Sequence, residues 1–175
     1  LLKILEQKNP CLIGWEFVQA DKNSVQKLYS GDLDKALAAH QEREVSETSF
    51  SLKVYTSIKE KEIVGMASVD IDPYSGIELQ INHAIRIASS SQNKYWKQLK
   101  PVRKKYLEVI TADKRILADP QKVLDKLEQK VCKIILKLKG VTVNSAEFFI
   151  NKSYITRVTN TGIETKKEKS DVYFE

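Results

Sequence analysis

The segment from Asp119 to Gly140 constrains the chain most, because it carries start signal, apolar stripe and stop signal of one helix in a single run. Asp119 can cap the first turn, Pro120 suits a position whose missing N–H is no loss, and Gly140 can close the end in a left-handed conformation. Val123, Leu124, Leu127, Val131, Ile134, Ile135 and Leu138 recur at helical spacing. Lys133, Lys137 and Lys139 complement the negative end of the helix dipole. A helix apolar on one side needs another layer to cover it, and the surrounding sequence offers strands.

Those strands show as alternation. Phe50, Leu52 and Val54 alternate with Ser51, Lys53 and Tyr55, and Ile63 to Val69 answers them across Lys59-Glu60-Lys61, which predicts a hairpin. Cys11 to Val18 has strand composition after a first helix over Leu1–Lys8 that stops at Pro10. Ser24 to Tyr29 is expected to pair with it across a polar turn at Ala20-Asp21-Lys22-Asn23. Ser75-Gly76-Ile77-Glu78 has the spacing of a capping box and predicts a second main helix with Ile77, Ile81, Ala84, Ile85 and Ala88 on its inner face. The state of 33–44 is open. After Gly140, Val141 to Ile150, Tyr154 to Thr159 and Ile163 to Phe174 read as strands, with Asn160-Thr161-Gly162 as a tight turn. The expected fold class is α+β, an antiparallel or mixed sheet with two main helices packed on it.

The halves also echo each other. Glu16-Phe17 leads to Tyr29-Ser30-Gly31 at the same Glu-to-Gly spacing as Glu147-Phe148 leads to Asn160-Thr161-Gly162. A repeated helix-plus-hairpin unit and a coincidence of ordinary α+β architecture both account for this. The expected division along the chain is an N-terminal α+β domain over 1–100, a linker over 101–118, and the start of a second α+β region over 119–175.

Composition excludes several classes. With 42% hydrophobic and 30% charged residues among 175, the chain can bury a core without staples. No apolar run approaches the ~20 residues a membrane-spanning helix needs, and the opening residues do not form a signal peptide, so the expected location is the cytoplasm. The net charge of +6 permits an anionic partner without requiring one. Cys11 and Cys132 lack the paired spacing of a zinc knuckle or a disulfide framework and read as structural thiols. The missing initiating methionine, and a closing strand over Ser170 to Glu175 with no turn after it, suggest a piece of a longer protein.

The residues offer little catalytic chemistry. His40 and His83 are too far apart in sequence to form the helical pair of a zinc peptidase. No serine sits in a nucleophile elbow, and Gly65 and Gly76 lack the companions of a phosphate loop. Asp70-Ile71-Asp72 reads as a turn and helix entry rather than a paired acid and base. Tyr95 to Tyr106 interleaves Lys97, Lys100, Arg103, Lys104 and Lys105 with aromatics, which suits either a solvated connector or stacking on nucleic acid. No catalytic, cofactor-binding or metal residue is assigned.

Several stretches resemble the TldD/PmbA family, proteins once described as modulators of DNA gyrase and understood as metallopeptidases. Leu52-Lys53-Val54-Tyr55 and Ile63-Val64-Gly65-Met66-Ala67-Ser68 are similar to that family's strand, turn and glycine-bearing strand, with Lys53 where arginine is usual. The helix around Ala84 and Ala88 fits next. Ile116-Leu117-Ala118-Asp119-Pro120 resembles its linker, Val143-Asn144-Ser145-Ala146-Glu147 the start of its central region, and Asn160-Thr161-Gly162-Ile163-Glu164 its Asn-Ser-x-Gly turn, with threonine for serine. The family's zinc site, a His-Glu-x-x-x-His helix and a later cysteine in the C-terminal region, has no counterpart in this sequence. The resemblance thus implies zinc for a parent protein and none bound here. The chain itself would be a non-catalytic N-terminal and part-central scaffold, a homo- or heterodimer partner that helps admit unfolded peptide. The rival expectation is a free-standing basic α/β module that binds nucleic acid through Tyr95 to Tyr106.

Overall fold

A computed structural model describes residues 2–30, 41–57, 63–93, 108–140 and 142–175. The elements run in the order α1 (Leu2–Lys8), β1 (Leu12–Ser30), β2 (Gln41–Ser57), β3 (Val64–Asp70), α2 (Ile77–Ser90), β4 (Gln92–Asn93), β5 (Val109–Thr111), α3 (Lys114–Ala118), α4 (Pro120–Ile135), β6 (Ser145–Thr159) and β7 (Glu164–Phe174). The strands hydrogen-bond in the order β4-β3-β2-β1-β6-β7-β5. β2 and β3 pair antiparallel from Ser51↔Asp70 to Ser57↔Val64, the pairing that the alternation predicts, while the turn expected at Lys59-Glu60-Lys61 lies outside the described residues. β5 runs parallel to β7, so the sheet is mixed, and the α+β class holds.

Two compact units share these strands. The first comprises Leu1–Ala20, Thr48–Glu108 and Ile155–Lys166, and the second Asp21–Glu47, Val109–Tyr154 and Lys167–Glu175. Each draws on three stretches of chain, a different partition from the sequential one at 101–118, of which 101–107 lie outside the described residues. A helix followed by two long strands occurs twice in chain order, as α1-β1-β2 and as α4-β6-β7.

In the first unit the core joins Leu5 of α1 and Leu12 and Trp15 of β1 to Leu52 and Val54 of β2, Ala67 of β3, and Ile81, Ala84, Ile85 and Ala88 of α2. Leu52 and Val54, two apart, point to one face, as strand geometry requires. On α2 the inner face is as predicted, except that Ile77 is 37% exposed. The helix start is where the capping-box spacing puts it, but the cap is built differently. Gly76 is the N-cap and receives no side-chain cap bond. Ser75 Oγ instead donates to Asp72 Oδ2, the Tyr74 N–H donates to Asp72 Oδ1, and the Gln80 amide closes on the Asp72 backbone at 2.9 Å in both directions. Asp72 is thus the turn and helix-entry residue, and the Ser75 contact helps hold its carboxyl below the usual range.

The second unit packs α3 and α4 on strand residues through Val25, Tyr29, Ile116, Leu124, Ala146, Phe148 and Ile150. Asp119 caps α4 by accepting from the Lys122 N–H at 2.9 Å, and Pro120 opens the helix as predicted. The helix ends at Ile135, however, and Ile134 and Leu138 are 61% and 49% exposed. Gly140 has a φ of 71° but lies beyond the helix end rather than closing it.

The turn expected at 20–23 is absent: β1 continues through it, and Ser24 to Tyr29 extends the same strand. From Trp15 onward β1 has no glycine or proline, and the short polar side chains there are compatible with an uninterrupted extended backbone. The strands expected at 141–150 and 154–159 likewise merge into one, β6, which starts only at Ser145, with Val141 outside the described residues. The turn after it is as predicted, with Gly162 at φ 83° and the Gly162 N–H donating to the Thr159 carbonyl at 3.2 Å.

Gly65 marks the closest approach in the first unit. A Cβ there would lie 1.8 Å from the Ala88 carbonyl oxygen and 2.6 Å from Thr56 Oγ1. Because the nearest obstacle is helix backbone, Gly65→Ala is expected to cost about 3 kcal/mol. Gly76→Ala, whose Cβ meets only the flexible Leu79 side chain, should cost about 0.5 kcal/mol. Urea unfolding of the two variants checks the contrast.

Candidate functional site

A groove of about 540 Å³ opens in the first unit. Trp15 and Phe17, two apart on β1, share a strand face, and Phe50 and Leu52 do the same on β2. Ile71 and Pro73 follow β3, and Ile77 and Ile81, four apart on α2, supply the helical wall. Phe17 and Phe50 stack with ring centroids 6.0 Å apart. Lys3 is the one charged side chain among the described residues that line it.

A polar knot fixes α1 beside this groove. Asn160, in the turn between β6 and β7, accepts from the Trp15 N–H through Oδ1 at 3.2 Å and donates to Glu6 Oε1 at 2.8 Å. The Trp15 indole N–H reaches Glu6 Oε2 at 3.4 Å. One side chain therefore joins the turn, the strand that presents Trp15, and the helix that presents Leu2 and Lys3.

Two clusters of buried ionisable groups complete the inventory. In the second unit Lys27 and Tyr29 alternate onto one face of β1, while Asp125 and Glu128 lie on one side of α4. Lys27 Nζ sits 2.8 Å from Glu128 Oε2, 2.9 Å from Asp125 Oδ1 and 3.2 Å from Glu42 Oε1. Tyr29 Oη donates to Glu128 Oε1. Burial pulls the Lys27 pKa down, but the three carboxylates outweigh it and raise it above the ordinary lysine value. In the first unit Tyr55 Oη donates to the buried Glu16 Oε1 at 2.5 Å, with Arg157 Nε 4.0 Å from Glu16 Oε2. Burial first, and then the partner carboxylate, push both tyrosines up.

These directions decide what the clusters can do. A tyrosine used as a base or nucleophile must give up its proton easily, whereas Tyr29 and Tyr55 hold theirs more tightly than usual. Burial likewise raises the Cys132 thiol, which disfavours the reactive thiolate. The sequence reading gave no sign of these clusters, since Glu16 and Lys27 look like surface charges. The strand period, which places Lys27 between Val25 and Tyr29 on one buried face, was the signal that could have found them.

The remaining sequence candidates fall apart in space or out of view. His83 is exposed on α2, Cys11 is half-buried and Cys132 buried, and both thiols are free. His40 and the whole of Tyr95 to Tyr106 lie outside the described residues. Among the described residues no three histidine, cysteine or acidic side chains gather as a metal site would need, so they do not fit the zinc of the resembled family. No helix among them is long and apolar enough to cross a membrane.

The architecture is that of several solved proteins. TldE from Thermococcus kodakarensis matches 99% of this chain with a TM-score of 0.60 at 15% identity. A protein from Bacteroides thetaiotaomicron described as a candidate modulator of DNA gyrase matches 96% with a TM-score of 0.65 at 12% identity. Its counterpart from Thermotoga maritima, described in the same terms, matches 99% at 0.61 and 14%. In each case this chain spans 37% of the neighbour's length. No protein-family model and no curated protein matches the sequence. The likeness to TldD/PmbA proteins read from short motifs is thus met at the level of fold.

Lys27, Tyr29 and Tyr55 all keep their protons in the folded chain beyond the pH at which the unfolded chain loses them. The unfolded state then binds fewer protons, so stability is fully present below about pH 10 and falls as pH rises above it. Chemical denaturation across the alkaline range should show this decline, with two tyrosines ionising only on unfolding. Glu128→Gln, which leaves Lys27 with Asp125 and Glu42, should cost about 2 kcal/mol at neutral pH.

Proposed function

We propose that this chain is a non-catalytic scaffold region of a TldD/PmbA-type metallopeptidase, and that its apolar groove holds unfolded peptide on the way to a catalytic centre supplied by other residues. The observation that carries the reading is the fold correspondence over 96–99% of the chain, joined to the sequence motifs around Gly65 and Asn160. The groove supports the peptide part. It is lined by aromatic and branched side chains that would bury apolar side chains of an extended segment without demanding a particular sequence. Zinc, dimerisation with a family member, and a cytoplasmic location belong to the same proposal, because they come with the family rather than with any residue of this chain.

The division of labour is physical. Tyr29, Tyr55 and Cys132 are held protonated, so the chain lends shape and apolar surface rather than a nucleophile or a base. The purified chain, with or without added zinc, should therefore leave fluorescein-labelled casein uncut while retaining it in a binding assay. Ile77→Asp places a charge in the groove at the first residue of α2, where an acid suits the helix dipole. It should weaken casein binding about tenfold with unfolding unchanged, the loss expected from desolvating one charge in an apolar site. Zinc-dependent cleavage by this chain alone would refute the scaffold reading.

A further inference from the structure

The second unit carries a different groove, of about 460 Å³, whose chemistry is the opposite of the first. Lys122, Lys126 and Lys130 follow one another at four-residue intervals along α4, which sets them on one side of the helix at a rise of about 6 Å per step. All three are exposed. Among the described residues no carboxylate pairs with their ammonium groups, unlike Lys27, which has three, and Lys166 and Lys169, which have one each. Arg115, also in the lining, is already held by Asp113 at 2.5 Å. Among the described residues Asp119 is the one carboxylate lining the groove, and its Oδ1 accepts from the Lys122 backbone N–H as the helix cap.

Between the lysines the surface is aliphatic: Val123 and Leu127 of α4 and Val172 of β7. From this we infer that the groove is a docking site for an extended peptide segment that alternates acidic and apolar residues. Two residues of extended chain advance about 6.7 Å, so carboxylates at every second position keep step with the lysine row. The intervening side chains would turn to the aliphatic surface. The same surface disfavours a nucleic acid as occupant, because among the described residues no aromatic ring lines the groove for a base to stack on. The site lies wholly within the second unit and is independent of the apolar groove of the proposed scaffold function.

Fluorescence anisotropy tests it with a labelled peptide of alternating Glu and Val, a control of alternating Lys and Val, and a labelled oligo-dT. The acidic peptide should bind the purified chain, more weakly as salt rises, and the basic control should not. Combined Lys122→Glu, Lys126→Glu and Lys130→Glu should lower its affinity at least tenfold, with thermal unfolding recorded alongside. If reversal of three charges costs the fold, Lys126→Ala alone serves, with an expected loss of about threefold. Absence of acidic-peptide binding, binding untouched by these substitutions, or oligo-dT binding that is tighter and lost with the same lysines would each overturn the assignment.

Discussion

The first unit depends on how closely α2 can lie against β3. At Gly65 the helix backbone occupies the space where any other residue would put its Cβ, with the Ala88 carbonyl as the nearest obstacle. Ala84 and Ala88 complete this contact with side chains that are themselves wholly buried. Small residues on both elements thus substitute backbone proximity for side-chain bulk. Ile77 and Ile81 are carried to the groove wall by that seating, and Asp72 sets the angle at which the chain enters the helix. The groove is therefore a by-product of a tight helix-on-strand contact one to three turns away.

Polar groups do comparable work elsewhere. Asn160 joins a turn, a strand and a helix through its bonds to Trp15 and Glu6, and Lys27 gathers carboxylates from β2 and α4. A buried charge is tolerated only when such partners offset its lost hydration. In both places the partners come from sequence positions far apart, so the cluster specifies which elements meet.

Much of the fold was legible in the sequence because local signals matched tertiary need. The β2–β3 pairing showed in its alternation, α2 in its alanine-bearing face, and the Asn160-Thr161-Gly162 turn in its one obligatory positive φ. The errors share a cause. Ala20 to Asn23 looked like a turn because polar residues usually mark one, yet β1 passes through. The α4 stripe overran its helix because apolar spacing cannot tell a buried face from one left exposed, as at Ile134 and Leu138. Ser75 had a capping-box spacing but found Asp72 a better partner. The apolar groove was illegible, since Phe17, Phe50, Ile71 and Ile77 converge only once distant strands pair.

The uninterrupted course of β1 also limits how this chain can change its length. Side chains along a strand alternate in twos, so one residue inserted anywhere from Ala20 to Ser24 would turn Val25, Lys27 and Tyr29 away from α4 and strand the ammonium group from its carboxylates. Only an even insertion, or an odd one absorbed by a bulge, keeps that face inward. Across relatives of this architecture, gaps in that stretch should accordingly come in pairs or beside a kinked strand, a constraint of parity rather than of residue identity.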